Sequence, residues 1–420
     1  MEIEHLYRLF SEHQTVTTDS RDCPEGSIFF ALKGESFDGN RFAETALQKG
    51  CSHAVIDEPE YARDERYIVT DNALDTLKQL ARHHRRQFDI PVIGITGTNG
   101  KTTTKELVAA VLSKKYKVLY TEGNFNNDIG VPKTLLRLRK EHEIAVIEMG
   151  ASHPGDIKTL VETVEPDYGL ITNVGKAHLQ GFGSFEGVVR TKGELYDFLR
   201  RRNGSKVFID AANRHLAGIS GGLDLIKYAC EPMDGLYVEG EVTSCAPLLC
   251  FRWRGGEGGW HEVETHLIGT YNLCNMLAAA SIGLYFGVGD DAVSDALAGY
   301  IPSNNRSQLE TTEHNRLIVD AYNANPTSMA AAIKNFSDMQ VSRKMAILGD
   351  MRELGDSSEE EHQKVADMLE HAGIDTVWLV GEEFGKTRCA FRKFADAEEV
   401  KAELRKNMPE DHYILIKGSN

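Results

Sequence analysis

The 420-residue sequence lacks several features that mark whole classes of protein. Its start, Met1–His5, has neither the basic residues nor the apolar core of a signal peptide, and no run approaches the ~18 apolar residues of a membrane helix. Basic residues are in the minority, since 47 Lys and Arg against 63 Asp and Glu leave a net charge of −16. A general nucleic-acid or anionic-membrane surface needs a basic face, so we expect a chain that binds neither.

The cysteines are too scattered for a metal or disulfide framework. Seven occur, and the close pair Cys245 and Cys250 has no second close pair to complete a zinc ribbon. We therefore expect reduced thiols in a cytoplasmic protein. Internal repeats and low-complexity segments are also missing, and 41% apolar with 26% charged residues is ordinary for a soluble globular chain.

Length and pattern predict three domains, because a domain takes about 150 residues. Residues 1–86 mix short apolar strands with two helices, near 41–49 and 72–87, and close on a basic cluster at 82–86. We interpret this cluster as a solvated helix end before a linker.

Residues 87–301 alternate strand and helix at a spacing of about 25 residues, which suits right-handed βαβ crossovers and a parallel sheet. Between about 205 and 268, shorter strands broken by glycine indicate an antiparallel addition. Residues 302–420 repeat the strand–helix alternation as a second doubly wound unit. The predicted fold class is α/β: a small mixed first domain, a central parallel-sheet domain with an antiparallel addition, and a Rossmann-like last domain.

A glycine-rich loop between the apolar strand 92–96 and an amphipathic helix is the sharpest motif. Its core is Gly97-Thr98-Asn99-Gly100-Lys101-Thr102, and Ile95 stands where the longer common form of this motif has glycine. Glycines let successive N–H groups face a phosphate, and the helix N-terminus adds favourable partial charge. The spacing predicts that Lys101 reaches the β- and γ-phosphates and that the Thr102 hydroxyl binds Mg²⁺. The central domain is thus predicted to be a P-loop nucleotide-binding domain.

Three further polar residues are noteworthy, and two of them follow strands. Glu148 ends the apolar run 144–147 and is either a metal-side carboxylate or a cap on the next turn. His178 follows another strand, at the sheet edge where such folds bind ligands, although a loop histidine without a ligand is the commoner case. Lys192, on residue type alone, is a basic residue at a helix start.

Taken in order, these motifs resemble those of the Mur ligases, the ATP-dependent amide-forming enzymes of bacterial cell-wall precursor synthesis. The resemblance covers nearly the whole chain, and its landmarks are 97–102, Glu148-Met149-Gly150, Asn173-Val174-Gly175 with His178, Lys192-Gly193-Glu194, 269–272 with Asn275, Arg306, and Asp320-Ala321-Tyr322-Asn323. Strings at 121–132, 320–326 and 349–355 are most similar to the member that joins D-alanyl-D-alanine to UDP-N-acetylmuramoyl-tripeptide. The Asp-Asn-Pro-Arg signature of the sister enzyme that adds a diamino acid is missing.

Two departures from the family pattern stand out. Tyr271 occupies a position where the family usually has histidine. The sequence also stops on a predicted strand where relatives continue into a terminal helix, so we expect a truncated or unusually short last domain.

The resemblance implies a set of site residues. The implied ATP contacts are Gly97, Thr98, Asn99, Gly100, Lys101, Thr102, Thr103, Asn275, Arg306 and Asp320. The implied magnesium ligands, for a pair of ions, are Thr102, Glu148, His178 and Lys192, the lysine as a carbamate. The implied UDP-substrate contacts are Ser20, Arg21, Asp38, Gly39 and Asn40, with Thr121, Asn126 and Asn127 along the muramoyl-peptide channel. Lys101, Lys192, His178 and Arg306 are the implied catalytic residues.

The resemblance also implies a job for each domain: UDP-substrate binding for 1–86, ATP binding for 87–301, and ligation with acceptor binding for 302–420. We expect a monomer whose partners are small molecules, UDP-N-acetylmuramoyl-tripeptide and D-alanyl-D-alanine. Two alternatives remain. A folylpolyglutamate-synthase-like ligase shares the phosphate loop and the three-domain plan, but it needs no separate uridine pocket. A P-loop switch is the other, although the Asn-Lys-x-Asp motif of a GTPase is missing.

Overall fold

The computed structural model describes residues 2–34, 36–302 and 306–419. The chain divides into two structural units, and each is built from several separate segments of sequence. The first unit comprises Met1–Gly94, Tyr116–Gly150 and Asp156–Tyr168, and the second comprises Ile95–Lys115, Ala151–Gly155 and Gly169–Asn420. Among the described residues, no helix has the length and apolar character needed to span a bilayer.

The elements up to residue 171 are, in chain order, α1 (Ile3–His13), β1 (Val16–Thr17), β2 (Ile28–Phe30), α2 (Ala43–Gln48), β3 (His53–Ile56), β4 (Tyr67–Val69), α3 (Ala73–Arg85), β5 (Val92–Thr96), α4 (Lys101–Leu112), β6 (Val118–Tyr120), α5 (Gly130–Leu135), β7 (Ile144–Glu148), α6 (Asp156–Val164) and β8 (Tyr168–Ile171).

From residue 179 they are α7 (Leu179–Phe182), α8 (Phe185–Leu199), β9 (Lys206–Asp210), α9 (Arg214–Ile219), β10 (Leu225–Ala229), β11 (Val238–Cys245), β12 (Leu248–Gly255), β13 (His261–Ile268), α10 (Asn272–Tyr285) and α11 (Asp290–Ala298). The last part contains β14 (Gln308–Thr311), β15 (Arg316–Asp320), α12 (Pro326–Asp338), β16 (Lys344–Gly349), α13 (Ser358–Glu370), β17 (Thr376–Val380), α14 (Glu382–Gly385), β18 (Arg392–Phe394), α15 (Ala397–Lys406) and β19 (Tyr413–Lys417).

The first unit contains a small parallel sheet in the order β1-β2-β3-β4. Its buried face packs Phe29 and Ile56 against Ala46 and Leu47 of α2. α3 begins where the side chain of Asn72 accepts a hydrogen bond from Asp75 N at 2.8 Å, because a free N–H in the first turn needs such a cap. The same unit holds the neighbouring strands β7 and β6, which are parallel, and the first three residues of β5.

The interpretation of the basic cluster at the end of α3 as a solvated helix end is only partly correct, because Arg82 and Arg86 are exposed whereas Arg85 is buried. Arg85 is 7% exposed and donates to a carboxylate oxygen of Asp167 at 3.1 Å. Arg82 and Arg86 both donate to the Glu165 carboxylate, at 2.9 and 2.8 Å. Sequence composition indicated solvent because arginines are usually exposed. The carboxylates that pair with them lie about eighty residues away in the chain.

The second unit contains the strand order β13-β12-β11-β10-β9-β8-β5. β11, β12 and β13 pair antiparallel, which confirms the antiparallel addition for residues 238–268. β9, β10 and β11 pair in parallel, so the addition does not begin near residue 205 as predicted. β9 and β10 were not predicted, because each has only five residues and a mixed pattern. The helix α10 is buried along most of its length, as its apolar sequence predicted.

The last part of the second unit forms a six-stranded sheet in the order β14-β15-β19-β16-β17-β18. Every neighbouring pair is parallel except β14 with β15. Met329, Ile333 and Phe336 of α12 pack with Leu348 and Leu379 in one core. The alternation of strand and helix predicted from the sequence is therefore confirmed, and the α/β fold class with it.

His84 supplies a test of the first unit's packing. Its ring is buried, with Nε2 3.1 Å from the Leu138 carbonyl oxygen and Nδ1 3.1 Å from the Tyr7 hydroxyl. Burial lowers the pKa of His84 to about 4. In the unfolded chain this histidine has an ordinary pKa near 6.5. Between about pH 4 and 6.5 the unfolded chain therefore binds a proton at His84 that the folded chain does not bind.

We therefore expect stability from neutral His84 to be full above pH 6.5 and to be lost as the pH falls from 6.5 towards 4, by roughly 3 kcal/mol in total. Urea unfolding followed by circular dichroism at a series of pH values measures this slope. In His84→Gln the unfolding free energy should depend less steeply on pH over that range, by the amount that corresponds to about one bound proton. A variant with the wild-type slope would contradict the assignment.

Candidate active site

The phosphate loop lies between β5 and α4, and its shape depends on two glycines. Gly97 has φ +144°, and a Cβ placed on it would lie 2.0 Å from Oγ1 of Thr172. Gly100, with φ +76°, opens α4, and a Cβ there would lie 2.8 Å from Oδ1 of Asn275. Side chains larger than hydrogen are thus excluded by both backbone conformation and space.

The loop is tied to the segment that follows β8. Thr98 N donates to the Asn173 carbonyl oxygen and Asn99 N to the Asn173 side chain, both at 3.0 Å. In return, Asn173 Nδ2 and Thr172 Oγ1 donate to the Asn99 carbonyl oxygen at 3.0 and 2.7 Å. Gly175 N donates to Thr98 Oγ1 at 3.0 Å. These bonds hold the loop rigidly, and they leave the first turn of α4 as the part that presents N–H groups to an anion.

Lys101 carries the positive charge of the loop. Its Nζ donates to the carbonyl oxygens of Gly97 and Thr98, at 2.9 and 3.0 Å, so the side chain folds back across the loop. Thr102 and Thr103 follow in the first turn of α4 and are 3% and 8% exposed. The predicted phosphate-binding residues therefore lie together on one loop and one helix start.

Asn275 supports this helix from α10. Its Oδ1 accepts from Thr104 Oγ1 at 3.1 Å, and its Nδ2 donates to Asn272 Oδ1 at 2.8 Å. Both side-chain atoms are thus engaged inside the protein. Its predicted contact with ATP stays a prediction, and its observed contacts place α10 against the loop.

Arg306 and Asp320 lie in a second cluster. The guanidinium of Arg306 stacks 3.7 Å from the centre of the Tyr322 ring, and its Nε makes no hydrogen bond with any described residue. One Asp320 oxygen accepts from Ser307 N at 3.4 Å, and the other contacts the buried Nζ of Lys417. Tyr271, which stands where the family usually has histidine, bonds through its hydroxyl to Ser307 Oγ at 3.0 Å.

The charges of Lys101 and Lys192 both act on the His178 ring. Burial lowers the pKa of His178, Glu353 opposes this shift, and Lys101 and Lys192 add to it. Nδ1 of His178 contacts the Glu353 carboxylate. Lys192 is 2% exposed, with Nζ 3.5 Å from the Ala151 carbonyl oxygen and 5.5 Å above the Phe182 ring.

Glu148 is organised within the first unit. It is fully buried at the end of β7, its N–H donates to Thr121 Oγ1 at 3.0 Å, and its Oε1 accepts from Asn126 Nδ2 at 2.8 Å. Asn127 Oδ1 accepts from the N–H of Gly130, the first residue of α5, at 2.8 Å. Thr121 and Asn126 therefore hold Glu148 in place, a role that sequence reasoning missed. Their predicted contact with the peptide substrate stays a prediction.

The predicted UDP-substrate residues of the first unit differ in exposure. Arg21 is open to solvent and pairs with Asp19, whose pKa it lowers through hydrogen bonds, and Lys49 Nζ bonds the Ser20 carbonyl oxygen at 2.9 Å. Asn40 is 1% exposed, and its amide bonds Asp38 and Asp57 at 2.8 and 2.9 Å. A Cβ on Gly39 would lie 2.4 Å from the Leu32 carbonyl oxygen. Asn40 and Gly39 shape this loop from within.

The donor set suits magnesium. The Thr102 hydroxyl and the buried Glu148 carboxylate are oxygen donors of the kind that Mg²⁺ prefers, and Mg²⁺ usually takes only one or two protein ligands beside substrate phosphates. In the part of the chain that the structure describes, no three His, Cys, Asp or Glu side chains gather as a metal cluster. Glu148 belongs to the first unit and the other three residues to the second, so their sharing of one site stays a prediction.

Several contacts join the phosphate-loop region to the last part of the second unit, and sequence reasoning missed them. Asn325 Nδ2 donates to Asn99 Oδ1 at 2.7 Å. Lys176 pairs with Glu361 at 2.8 Å. Asn325 lies inside the motif 320–326, which was a signal for it, whereas nothing in the pattern singled out Glu361.

Comparison with known proteins agrees with this geometry. Three family models match: the Mur ligase family catalytic domain over residues 12–92, the Mur ligase middle domain over 95–283, and the Mur ligase glutamate ligase domain over 305–420. The chain belongs to the Mur ligase family.

Two curated relatives carry the same name. The chain is 35% identical to the UDP-N-acetylmuramoyl-tripeptide–D-alanyl-D-alanine ligase of Escherichia coli (strain K12) and 33% identical to that of Bacillus subtilis (strain 168). Each alignment covers 96% of this chain and 90% of the relative.

Solved structures give the same picture. MurF from Acinetobacter baumannii superposes with a TM-score of 0.87 at 31% identity, covering 96% of this chain and 90% of that one. MurF ligase from Thermotoga maritima in complex with ADP gives 0.86 at 26% identity, covering 96% and 94%. A Mycobacterium tuberculosis folylpolyglutamate synthase reaches only 0.62 at 16% identity, covering 82% of this chain and 92% of that one, which shows a shared fold alone.

Gly97 allows a direct test of the loop. In Gly97→Ala the methyl group meets Thr172 Oγ1 in a backbone conformation that alanine avoids, so the bonds at Thr98 and Asn99 must break. We expect the affinity for ADP, measured by calorimetry, to fall by about tenfold or more.

Gly218→Ala is the matched control, because a Cβ at this helix position has nothing within 4 Å. It should leave ADP affinity unchanged. If Gly97→Ala bound ADP as tightly as this control, the close approach of the loop to Thr172 would not matter for binding.

Proposed function

We propose that this chain is an ATP-dependent ligase that joins D-alanyl-D-alanine to UDP-N-acetylmuramoyl-tripeptide, giving the pentapeptide, ADP and phosphate. The observation that carries the proposal is the rigid phosphate loop, with Lys101 folded across it 2.9 Å from the Gly97 carbonyl oxygen. The substrates come from relatives of that name at 33% and 35% identity over 96% of the chain. The 16% identity to folylpolyglutamate synthase gives no comparable support to a folate substrate.

We assign the three predicted regions accordingly: UDP-substrate binding to 1–86, ATP binding to 87–301, and acceptor binding with ligation to 302–420. The exposed Arg21 guanidinium is a suitable partner for a diphosphate, since a planar guanidinium binds phosphate oxygens in pairs. We further propose that the enzyme is a monomer and that it works in the cytoplasm, where its nucleotide-linked substrates are made.

The reaction needs ATP because oxide is too poor a leaving group for an amine to displace. The tripeptide carboxylate attacks the γ-phosphorus of ATP, the bond to the ADP oxygen breaks, and an acyl phosphate forms. The neutral amine of D-alanyl-D-alanine then attacks the acyl carbon, loses a proton, and phosphate leaves. Phosphoryl transfer depends mainly on positioning and on neutralising charge.

The cationic side chains of the chain fit this need. A carboxylate that approaches a triphosphate meets repulsion of several kcal/mol at short range. Lys101 supplies a positive charge at the loop, and Arg306 presents a guanidinium that is held flat by Tyr322 with its Nε unsatisfied by any described residue. We assign Arg306 to the γ-phosphate of bound ATP.

We assign Thr102, Glu148, His178 and carbamylated Lys192 to the magnesium ions, which would supply positive charge to offset the negative charge of the reacting oxygens. Lys192 supports this assignment by its position, because it is buried and its charge acts on His178. Addition of CO₂ to the neutral amine releases a proton and replaces the ammonium with a carboxylate-like group. Thr121 and Asn126 hold Glu148 for the same purpose.

The direct test is phosphate release from ATP with UDP-N-acetylmuramoyl-tripeptide, comparing D-alanyl-D-alanine with single amino acids as acceptor. We expect release only with the dipeptide, together with a product whose mass equals the pentapeptide. Phosphate release without any acceptor would favour a P-loop switch. Release with a folate substrate and glutamate would favour the folylpolyglutamate-type reaction.

The carbamate on Lys192 makes a separate prediction. Lys192→Ala removes the proposed ligand, so we expect turnover to fall by about 10²-fold or more and to recover in part with added acetate or formate. The control Lys401→Ala, at an exposed lysine, should keep wild-type turnover. Full activity of Lys192→Ala without any added carboxylate would exclude the carbamate.

Arg306 predicts a different kinetic pattern. In Arg306→Ala we expect turnover to fall by about 10²-fold, with little change in affinity for the UDP substrate, because the lost interaction forms mainly in the transition state. The exposed Arg388→Ala is the control and should behave as wild type. Unchanged turnover in Arg306→Ala would remove this residue from the ATP site.

A further inference from the structure

No role has been assigned so far to the motif 349–355, although one of its side chains contacts His178. This motif follows β16 and includes Glu353, whose carboxylate contacts Nδ1 of His178. The Glu353 carbonyl oxygen also accepts from Gln180 N at 3.3 Å. Two residues of the 178–180 segment are therefore engaged by one residue of the last region of the chain.

The loop that carries Glu353 is fixed on both sides. Before it, the Asp350 carboxylate accepts from the first N–H groups of α14, at Glu383 and Phe384, at 3.0 and 2.9 Å. A Cβ on Gly381 would lie 2.3 Å from this carboxylate, so glycine is needed there. The loop therefore starts from a rigid point.

A buried histidine anchors the next residue of the loop. His362 is fully buried, with Nδ1 2.7 Å from the Ser358 carbonyl oxygen, and its Nε2 accepts from Met351 N at 3.0 Å. A carbonyl oxygen can only accept, so Nδ1 of His362 carries the proton and Nε2 is the acceptor. Met351 and Leu354 are each 2% exposed and pin the loop to the core.

Both contacting residues have unusual backbones. His178 has φ +49° and Glu353 has φ +62°, in the left-handed region that residues other than glycine rarely adopt. Each such residue costs free energy and persists only where surrounding structure enforces it, often at functional sites. The chain thus holds both residues in strained conformations at the point where they meet.

The chemistry of histidine indicates what the contact between Glu353 and His178 does. A neutral imidazole has one N–H and one acceptor nitrogen, and a carboxylate can only accept. Nδ1 of His178 is buried without a hydrogen bond of standard geometry to any described residue, and the Glu353 carboxylate that contacts it is an acceptor within reach. A proton on Nδ1 satisfies both groups and leaves the Nε2 lone pair for a ligand. Histidines that bind metals commonly donate their other N–H to a carboxylate in this way.

We propose that Glu353 is a positioning residue that orients the His178 ring and fixes its Nδ1–H tautomer, leaving Nε2 to bind a metal ion. The inference rests on the proposed function insofar as His178 is assigned to the metal. Glu353 lies in the last predicted region and His178 in the central one, so the contact ties the His178 ring to the last region of the chain. The carboxylate acts through His178 and touches no substrate.

The first test reads the tautomer directly in the metal-free protein. ¹⁵N NMR of histidine-labelled protein at pH 8 should show His178 with its proton on Nδ1, identified by loss of the signal in His178→Ala. In Glu353→Ala the Nε2–H form should appear, whereas Glu353→Gln should keep much of the Nδ1–H form because its amide oxygen accepts the same bond. The control Glu359→Gln changes the same charge at an exposed site and should give the wild-type spectrum.

The second test measures Mn²⁺ binding by electron paramagnetic resonance in the presence of ADP. We expect Glu353→Ala to weaken binding about tenfold or more, Glu353→Gln to weaken it less, and Glu359→Gln to leave it unchanged. A wild-type tautomer and wild-type Mn²⁺ affinity in Glu353→Ala, with weakened binding in His178→Ala, would overturn the role of Glu353. Unchanged Mn²⁺ binding in His178→Ala would instead overturn the metal assignment of the proposed function, and the tautomer would still decide the role of Glu353.

Discussion

The hydrogen bonds between the phosphate loop and residues 172–175 are the constraint on which the candidate site depends. Asn173 alone makes three of them: it accepts from Thr98 N and Asn99 N and donates to the Asn99 carbonyl oxygen. Gly97 must be glycine for the two segments to come this close. A loop held this way does not lose conformational freedom when a nucleotide binds, so less of the binding free energy is spent on ordering it.

The same principle extends outward from the loop. Asn325 joins Asn99 from the N-cap of α12, where its side chain also accepts from Ser328 N at 2.9 Å. Lys176 pairs with Glu361, and His178 contacts Glu353. Asn99, Lys176 and His178 are therefore each contacted by a side chain from a distant part of the sequence.

Local patterns predicted the fold and the phosphate loop, because strand–helix alternation and a Gly-Lys-Thr loop depend on neighbouring residues. Local patterns could not predict contacts between residues that are far apart in the sequence. The burial of Arg85 depends on Asp167, and the part played by Thr121 depends on Glu148. Glu353 was visible only as a letter in a motif, because its partner His178 lies about 175 residues away and no spacing rule connects the two.

The central claim is that the phosphate loop has its binding shape before nucleotide arrives, and amide hydrogen exchange tests it most directly. In nucleotide-free protein the N–H groups of Thr98, Asn99 and Gly175 should exchange slowly, since each is bonded within the protein, and ADP should change their rates little. Rapid exchange at these three amides without nucleotide, followed by strong protection when ADP is added, would contradict the account.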